Sequence, residues 1–242
     1  VRQTLEFVNL YSCYRGQDRF VAFARSVDLM RERPEIIEAG VTLPETRDLK
    51  KWLAGPGPFG NEGLQQTLTE GPLAGSPGLT AILAWSLEID VRVRALEPIP
   101  AFPNAIIFLE QLQGKSDAIV VSSTPLAALE NEWDHAGIRP LVRAIASKDI
   151  GTKTEHLSLV LADKKYAPKR VLMLGDAPKD LASAREVGVR FFPILPGDED
   201  RAWRILFDVV YPRFLSGTYT QAEEDHFVKA FTESLPASPA WS

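Results

Sequence analysis

Over the first 97 residues, apolar positions recur three and four apart, the spacing of helices that each bury one face. Leu5, Val8 and Tyr11, with Phe7 and Leu10, mark one such segment from Val1 to Tyr14. Phe20, Val21, Phe23, Ala24, Val27 and Met30 mark a second from Asp18 to Arg31, with Asp18 placed as an N-cap and Pro34 just past the end. Shorter helices are predicted over Pro44–Leu53 and Asn61–Thr69. Between them runs Ala54-Gly55-Pro56-Gly57-Pro58-Phe59-Gly60, a turn that lacks the Lys-Ser/Thr ending of a P-loop. After a second breaker run, Gly71 to Gly75, the Ser76-Pro77 pair opens a long helix carrying Leu79, Ile82, Leu83, Leu87, Val91 and Leu96.

Beyond Pro98-Ile99-Pro100-Ala101-Phe102-Pro103 the pattern changes to helices alternating with short apolar runs. Helices are predicted over Asn104–Leu112, Leu126–Ala136, Thr154–Asp163, Asp180–Val187 and Glu199–Tyr211. Strands are predicted over Ala118–Val121, Val142–Ala146, Arg170–Leu174 and Arg190–Ile194. That alternation implies right-handed crossovers and a doubly wound parallel sheet covered on both faces, an α/β Rossmann-like core. Thr220 to Ser234 reads as an amphipathic helix ahead of a Pro/Ser-rich tail expected to fray. The expected organisation is a helical domain over 1–97, an α/β core over 98–217, and a C-terminal helix and tail over 218–242.

Composition narrows the function classes. The 242 residues carry 27 basic and 32 acidic side chains, a formal charge of −5 that opposes binding to nucleic acid or an anionic membrane. Cys13 is the sole cysteine and cannot form an internal disulfide, and no apolar run reaches 18 residues, so a cytoplasmic protein is expected. His135, His156 and His226 fall singly on predicted helices without the spacing of a zinc site or a nucleophilic triad.

In open parallel sheets, ligands bind beyond the carboxyl ends of the strands. Three runs end there in polar groups: Val121 leads into Ser122-Ser123-Thr124-Pro125, Ala146 into Ser147-Lys148-Asp149-Ile150-Gly151-Thr152-Lys153, and Leu174 into Gly175-Asp176-Ala177-Pro178-Lys179-Asp180. A hydroxyl, an amine and two carboxylates in that order suit a phosphoryl group with a divalent cation. Ser122 is also placed to cap the helix after Pro125, and Lys148 competes with Lys153 as the amine.

In that order, these motifs resemble those of the haloacid dehalogenase superfamily of hydrolases. Ile119-Val120-Val121-Ser122 is similar to its second motif, Gly151-Thr152-Lys153 to its lysine motif, and Gly175-Asp176-Ala177-Pro178-Lys179-Asp180 to its acidic GDxxxD motif. Ala184 to Val189 follows as the small-residue helix end usual in the family. The resemblance implies a Mg²⁺-dependent phosphatase of a small phosphorylated metabolite, with the helical block as a cap. Phosphonatase or phosphomutase chemistry stays open. It implies that Ser122, Ser123 and Lys153 bind the phosphoryl group, that Asp176 and Asp180 hold Mg²⁺, and that Arg15 and Arg19 of the cap are placed for substrate contact.

The family's nucleophile, the first Asp of an N-terminal Asp-x-Asp, has no counterpart before the helical block. One reading puts that strand upstream of Val1. The other forces Phe7 to Cys13 onto the motif, with Asn9 at the nucleophile and Tyr11 at the acid/base position, which would leave a non-catalytic binding or scaffolding protein. The helical spacing of that segment favours the first. Oligomeric state and substrate identity are not legible.

Overall fold

The computed structural model describes residues 1–57, 59–97, 99–162 and 165–241. Pro58 of the Gly/Pro turn, Pro98 at the expected boundary, and Asp163 at the expected helix end lie outside the described residues, as do Lys164 and Ser242. Contacts divide the chain into a helical unit, Val1–Glu97 with Pro236–Ser242, and an α/β unit, Pro98–Leu235.

The helical unit runs α1 (Arg2–Leu10), α2 (Arg19–Arg31), α3 (Pro34–Glu38), α4 (Arg47–Leu53), α5 (Asn61–Thr69) and α6 (Pro77–Arg94). Asp18 caps α2 by accepting from the Phe20 N–H, and Ser76 caps α6 by accepting from the Leu79 N–H. Phe20, Leu49, Trp52, Leu64, Leu79, Ile82 and Leu83 form one core. Phe7, Val8, Ala22 and Leu29 form a second, between α1 and α2.

Two expectations for this unit are corrected. Asn9 lies on α1, with its amide donating to the Leu5 carbonyl one turn back, and Tyr11 is the exposed residue that ends that helix. Neither belongs to a strand, so the degenerate first motif has no structural basis. The tail does not fray. The Pro236 carbonyl accepts from the Cys13 N–H at 3.3 Å, and the Trp241 indole packs edge-on against Phe7 at 5.4 Å with the Arg33 guanidinium over its face at 4.8 Å.

The α/β unit runs α7 (Pro103–Leu112), β1 (Ile119–Val121), α8 (Leu126–His135), β2 (Ala144–Ala146), α9 (Lys153–Ala162), β3 (Leu172–Gly175), α10 (Pro178–Val187), β4 (Arg190–Pro193), α11 (Glu199–Ile205), α12 (Tyr211–Ser216) and α13 (Gln221–Ser234). Side chains alternate along the strands as the two-residue period demands. Met173 and Phe191 face a core with Leu157, Leu181, Ala184 and Val228, whereas Leu172, Leu174 and Phe192 face one with Phe108, Leu112, Leu206 and Phe214. Phe191 and Phe192 are both fully buried, each contributing about 1.5–3 kcal/mol through lost apolar exposure. Helices therefore cover both faces of the strands.

The sheet itself differs from expectation. β1 pairs in parallel with β2, with Ile119 beside Ala144, and β3 pairs in parallel with β4, with Leu172 beside Arg190. Among the described residues these remain two separate pairs. Ala118 nevertheless shares a core with Leu172 and Leu174, and Val121 shares the other core with Met173. The two pairs thus lie between the same helical layers.

The helix expected over Glu199–Tyr211 continues to Ser216 through a π-type turn, Leu206–Val210. Pro212 explains the wide turn, since it has no N–H to donate and its ring excludes a carbonyl in the preceding turn. The segment expected as 218–242 divides: α13, begun by the reciprocal Thr220–Glu223 capping box, packs in the α/β unit, and residues 236–242 go with the helical unit.

Candidate functional site

The loops after β1, β2 and β3 carry the chemistry. After β3, Gly175 and Asp176 lead to Pro178, whose fixed φ suits the first turn of α10. Asp180 on that turn reaches back, and its Oδ2 accepts from the Asp176 N–H at 3.1 Å and the Ala177 N–H at 3.2 Å. Its Oδ1 accepts from the Lys153 ammonium in an ion pair. The Asp180 side chain is 3% exposed and that of Lys153 18%. Gly175 makes room for this arrangement, because a Cβ there would stand 2.6 Å from Asp180 Oδ2.

Lys153 opens α9, directly after the β2 loop. Thr152 and Glu155 form a capping box there: the Thr152 N–H donates to Glu155 Oε2 at 2.7 Å and the Glu155 N–H to Thr152 Oγ1 at 3.2 Å. These bonds hold the Glu155 carboxyl below its ordinary range, the Thr152 N–H first and its hydroxyl second. The competitor Lys148 is exposed and forms no ion pair among the described residues. Because Lys153 follows β2 and Asp180 follows β3, their ion pair brings the carboxyl-terminal loops of the two strand pairs to the same end.

Ser122 stands half-buried at the end of β1, its N–H donating to the Ala146 carbonyl at 2.9 Å. Its hydroxyl accepts from the Thr124 N–H at 3.2 Å, a local turn in place of the cap expected for the helix after Pro125. The free amide at the start of α8 is taken instead by Asp149, whose Oδ2 accepts from the Leu126 N–H at 2.7 Å. That bond, and then the Ser147 hydroxyl, hold the Asp149 carboxyl below its ordinary range. Ser123 is exposed on the same loop. No hydrogen bond joins Ser122 or Ser123 to Lys153 among the described residues.

Both oxygens of Asp180 accept hydrogen bonds, from two backbone N–H groups and an ammonium. It is a buried positioning carboxylate. Asp176 is half-buried just past β3; among the described residues no three His, Cys, Asp or Glu side chains gather to hold a metal. Arg19 is committed within the helical unit. Its guanidinium pairs with Asp90 at 2.6 Å and bonds Ser86, while Asn61 bridges Ser86 and Asp90, tying α2, α5 and α6 together. Arg15 donates to the Leu10 carbonyl at 3.0 Å, ending α1. Arg19 thus serves the helical unit's own packing.

Sequence reasoning missed Asp149 and His156. His156, expected only as a lone histidine on a helix, is 3% exposed on α9, with its Nε2 3.0 Å from the Ser147 carbonyl. The Thr-x-x-Glu at 152–155 was the available signal for this loop, as a capping box. The Asp149–Leu126 bond spans 23 residues and left no local trace.

Residues 88–194 match the family model described as haloacid dehalogenase-like hydrolase. A phosphoglycolate phosphatase of Synechococcus elongatus is 29% identical over 108 residues, which cover 44% of this chain and 51% of that protein. The chain thus spans about half the length of the curated relative it matches. Among solved structures, the UTR4 protein of Saccharomyces cerevisiae is similar at 16% identity over 75% of this chain and 84% of that one, with a TM-score of 0.36.

Proposed function

We propose, from the match of residues 88–194 to the haloacid dehalogenase-like hydrolase model, that the whole protein is a phosphatase of a small phosphorylated metabolite. The observation that carries the proposal is the Lys153–Asp180 ion pair, which joins the lysine and acidic loops at the carboxyl ends of the strands. The similarity to a phosphoglycolate phosphatase supports phosphate-ester hydrolysis as the reaction class.

In this reading, Ser122 and the backbone N–H groups of its loop bind oxygens of the phosphoryl group. Lys153, held in place by Asp180, offsets the charge that builds on those oxygens during transfer. The nucleophile is an aspartate on a further strand that inserts between β1 and β3 and becomes phosphorylated during turnover. Adjacent strands lie about 4.8 Å apart, and β1 and β3 share both flanking cores without hydrogen-bonding to each other. Ile119 on β1 is 37% exposed, unusual for a strand inside a doubly wound sheet. Asp176 is placed to contribute one carboxylate to Mg²⁺, which would neutralise phosphoryl charge when bound; the remaining ligands would come with the inserted strand. The helical unit would act as the cap, and the protein would work in the cytoplasm. No described helix is long and apolar enough to cross a membrane.

The test is phosphate release by the full-length gene product from a panel of phosphorylated small molecules, phosphoglycolate included, with and without Mg²⁺. Asp176→Asn is expected to lower the Mg²⁺-dependent rate about 100-fold. Equal rates for the two proteins, or no release from any substrate, would overturn the proposal.

A further inference from the structure

The β2–α9 loop joins the Ser122 loop to Lys153, and a buried imidazole closes it. Ser147, fully buried at the end of β2, donates its hydroxyl to Asp149 Oδ2 at 3.1 Å and accepts from the Asp149 N–H at 3.2 Å. The same Oδ2 accepts from the Leu126 N–H, and the Lys148 N–H lies 3.4 Å from the Thr124 carbonyl. These bonds fasten residues 147–149 to the segment that carries Ser122. On the other side, the Ser147 carbonyl meets His156 Nε2 at 3.0 Å. A carbonyl can only accept, so Nε2 carries the hydrogen and donates. His156 lies on α9 three residues beyond Lys153. Gly151 folds the chain tightly over the imidazole: its φ is +146°, and a Cβ there would lie 3.3 Å from His156 Cε1 and 3.0 Å from Glu155 Oε2.

We propose that His156 is a positioning residue: through the Ser147 carbonyl it locks the β2–α9 loop, and so sets Lys153 relative to the Ser122 loop. An apolar residue of similar size would fill the space under Gly151 equally well. What it would lose is the directed N–H, leaving the Ser147 carbonyl at the hinge of the loop with only the longer bond from the Ile150 N–H at 3.4 Å. The hydrogen-bonded path then runs from the Ser122 segment through Leu126, Asp149, Ser147 and His156 to the start of α9, and from Lys153 across to Asp180 and Asp176. The consequence for turnover rests on the phosphatase reading above; the coupling between loops does not.

Two measurements separate those claims. In the 242-residue chain, amide hydrogen exchange is compared for wild type, His156→Leu and His156→Gln, since the glutamine amide can replace the lost N–H. The Leu variant is expected to speed exchange at the Leu126 and Asp149 amides about tenfold while β3 and β4 keep their protection, with the Gln variant restoring wild-type protection. Unchanged exchange at Leu126 and Asp149, or an equal acceleration in β3 and β4, would overturn the proposal. In the full-length protein, His156→Leu is expected to lower kcat for p-nitrophenyl phosphate about tenfold with KM within about twofold, and His156→Gln to recover it. An unchanged kcat in an active enzyme would also overturn it. Absence of activity in the wild type would instead refute the phosphatase reading, and the exchange data would still decide the role of His156.

Discussion

Lys153 and Asp180 are ion-paired across two loops that lie 27 residues apart in sequence, and the carboxylate in the pair has both oxygens occupied. This partnership gives the second carboxylate of the GDxxxD sequence an architectural role. Removing half of a buried pair strands the other charge, so Asp180→Ala is expected to cost about 3–5 kcal/mol. Urea unfolding measures this, and a loss under about 1 kcal/mol would show that the pair is not structural.

Gly175 is expected to tolerate no side chain. Its extended backbone is unstrained, but a Cβ would overlap the Asp180 carboxyl, which is buried and held by three donors and so has nowhere to move. Gly175→Ala should therefore destabilise the α/β unit by about 3 kcal/mol, at the upper end of ordinary overpacking. The urea midpoint of the variant decides the matter. In the Asp180→Ala background the same substitution should cost far less, a non-additivity that two unrelated sites would not show.

The Asp149 tie to α8 has a defined pH window. Its carboxyl is held below the ordinary range, first by the Leu126 N–H and then by the Ser147 hydroxyl. A depressed folded value means the tie is fully present above the unfolded value of about 3.9 and is lost only as pH falls through the lower folded value. The Leu126 amide shift, followed by NMR, should titrate with a midpoint below that of an unperturbed aspartate. A midpoint at or above about 3.9 would contradict the bond.

Trp241 is expected to stabilise the helical unit from the far end of the chain. Its edge-on pairing with Phe7 and the Arg33 guanidinium over its face are together worth about 1–2 kcal/mol. Trp241→Ala should lower the unfolding midpoint of that unit by circular dichroism and leave the strands of the α/β unit unaffected. Equal stability of the variant would mean the tail merely rests on α1.

The sequence alone determined the periodicities: which stretches are helical, where the apolar strands lie, and that Ser122, Lys153 and Asp176 each sit just past or just before one of them. Those are local properties, set by burial of one helix face or two strand faces and by residues such as Asp18, Ser76 and Pro178 that cap or begin a helix. Only the tertiary structure decided partners. Whether Asp180 pairs with Lys153, whether His156 is exposed or closes a loop, and whether Asp149 caps a helix 23 residues away depend on crossovers that bring distant loops to one end of the strands. The tail was misjudged for the same reason. Its Pro and Ser residues weaken local structure, but Trp241 finds its stabilising contacts on Phe7 and Arg33, more than two hundred residues earlier in the chain, where no local pattern can register them.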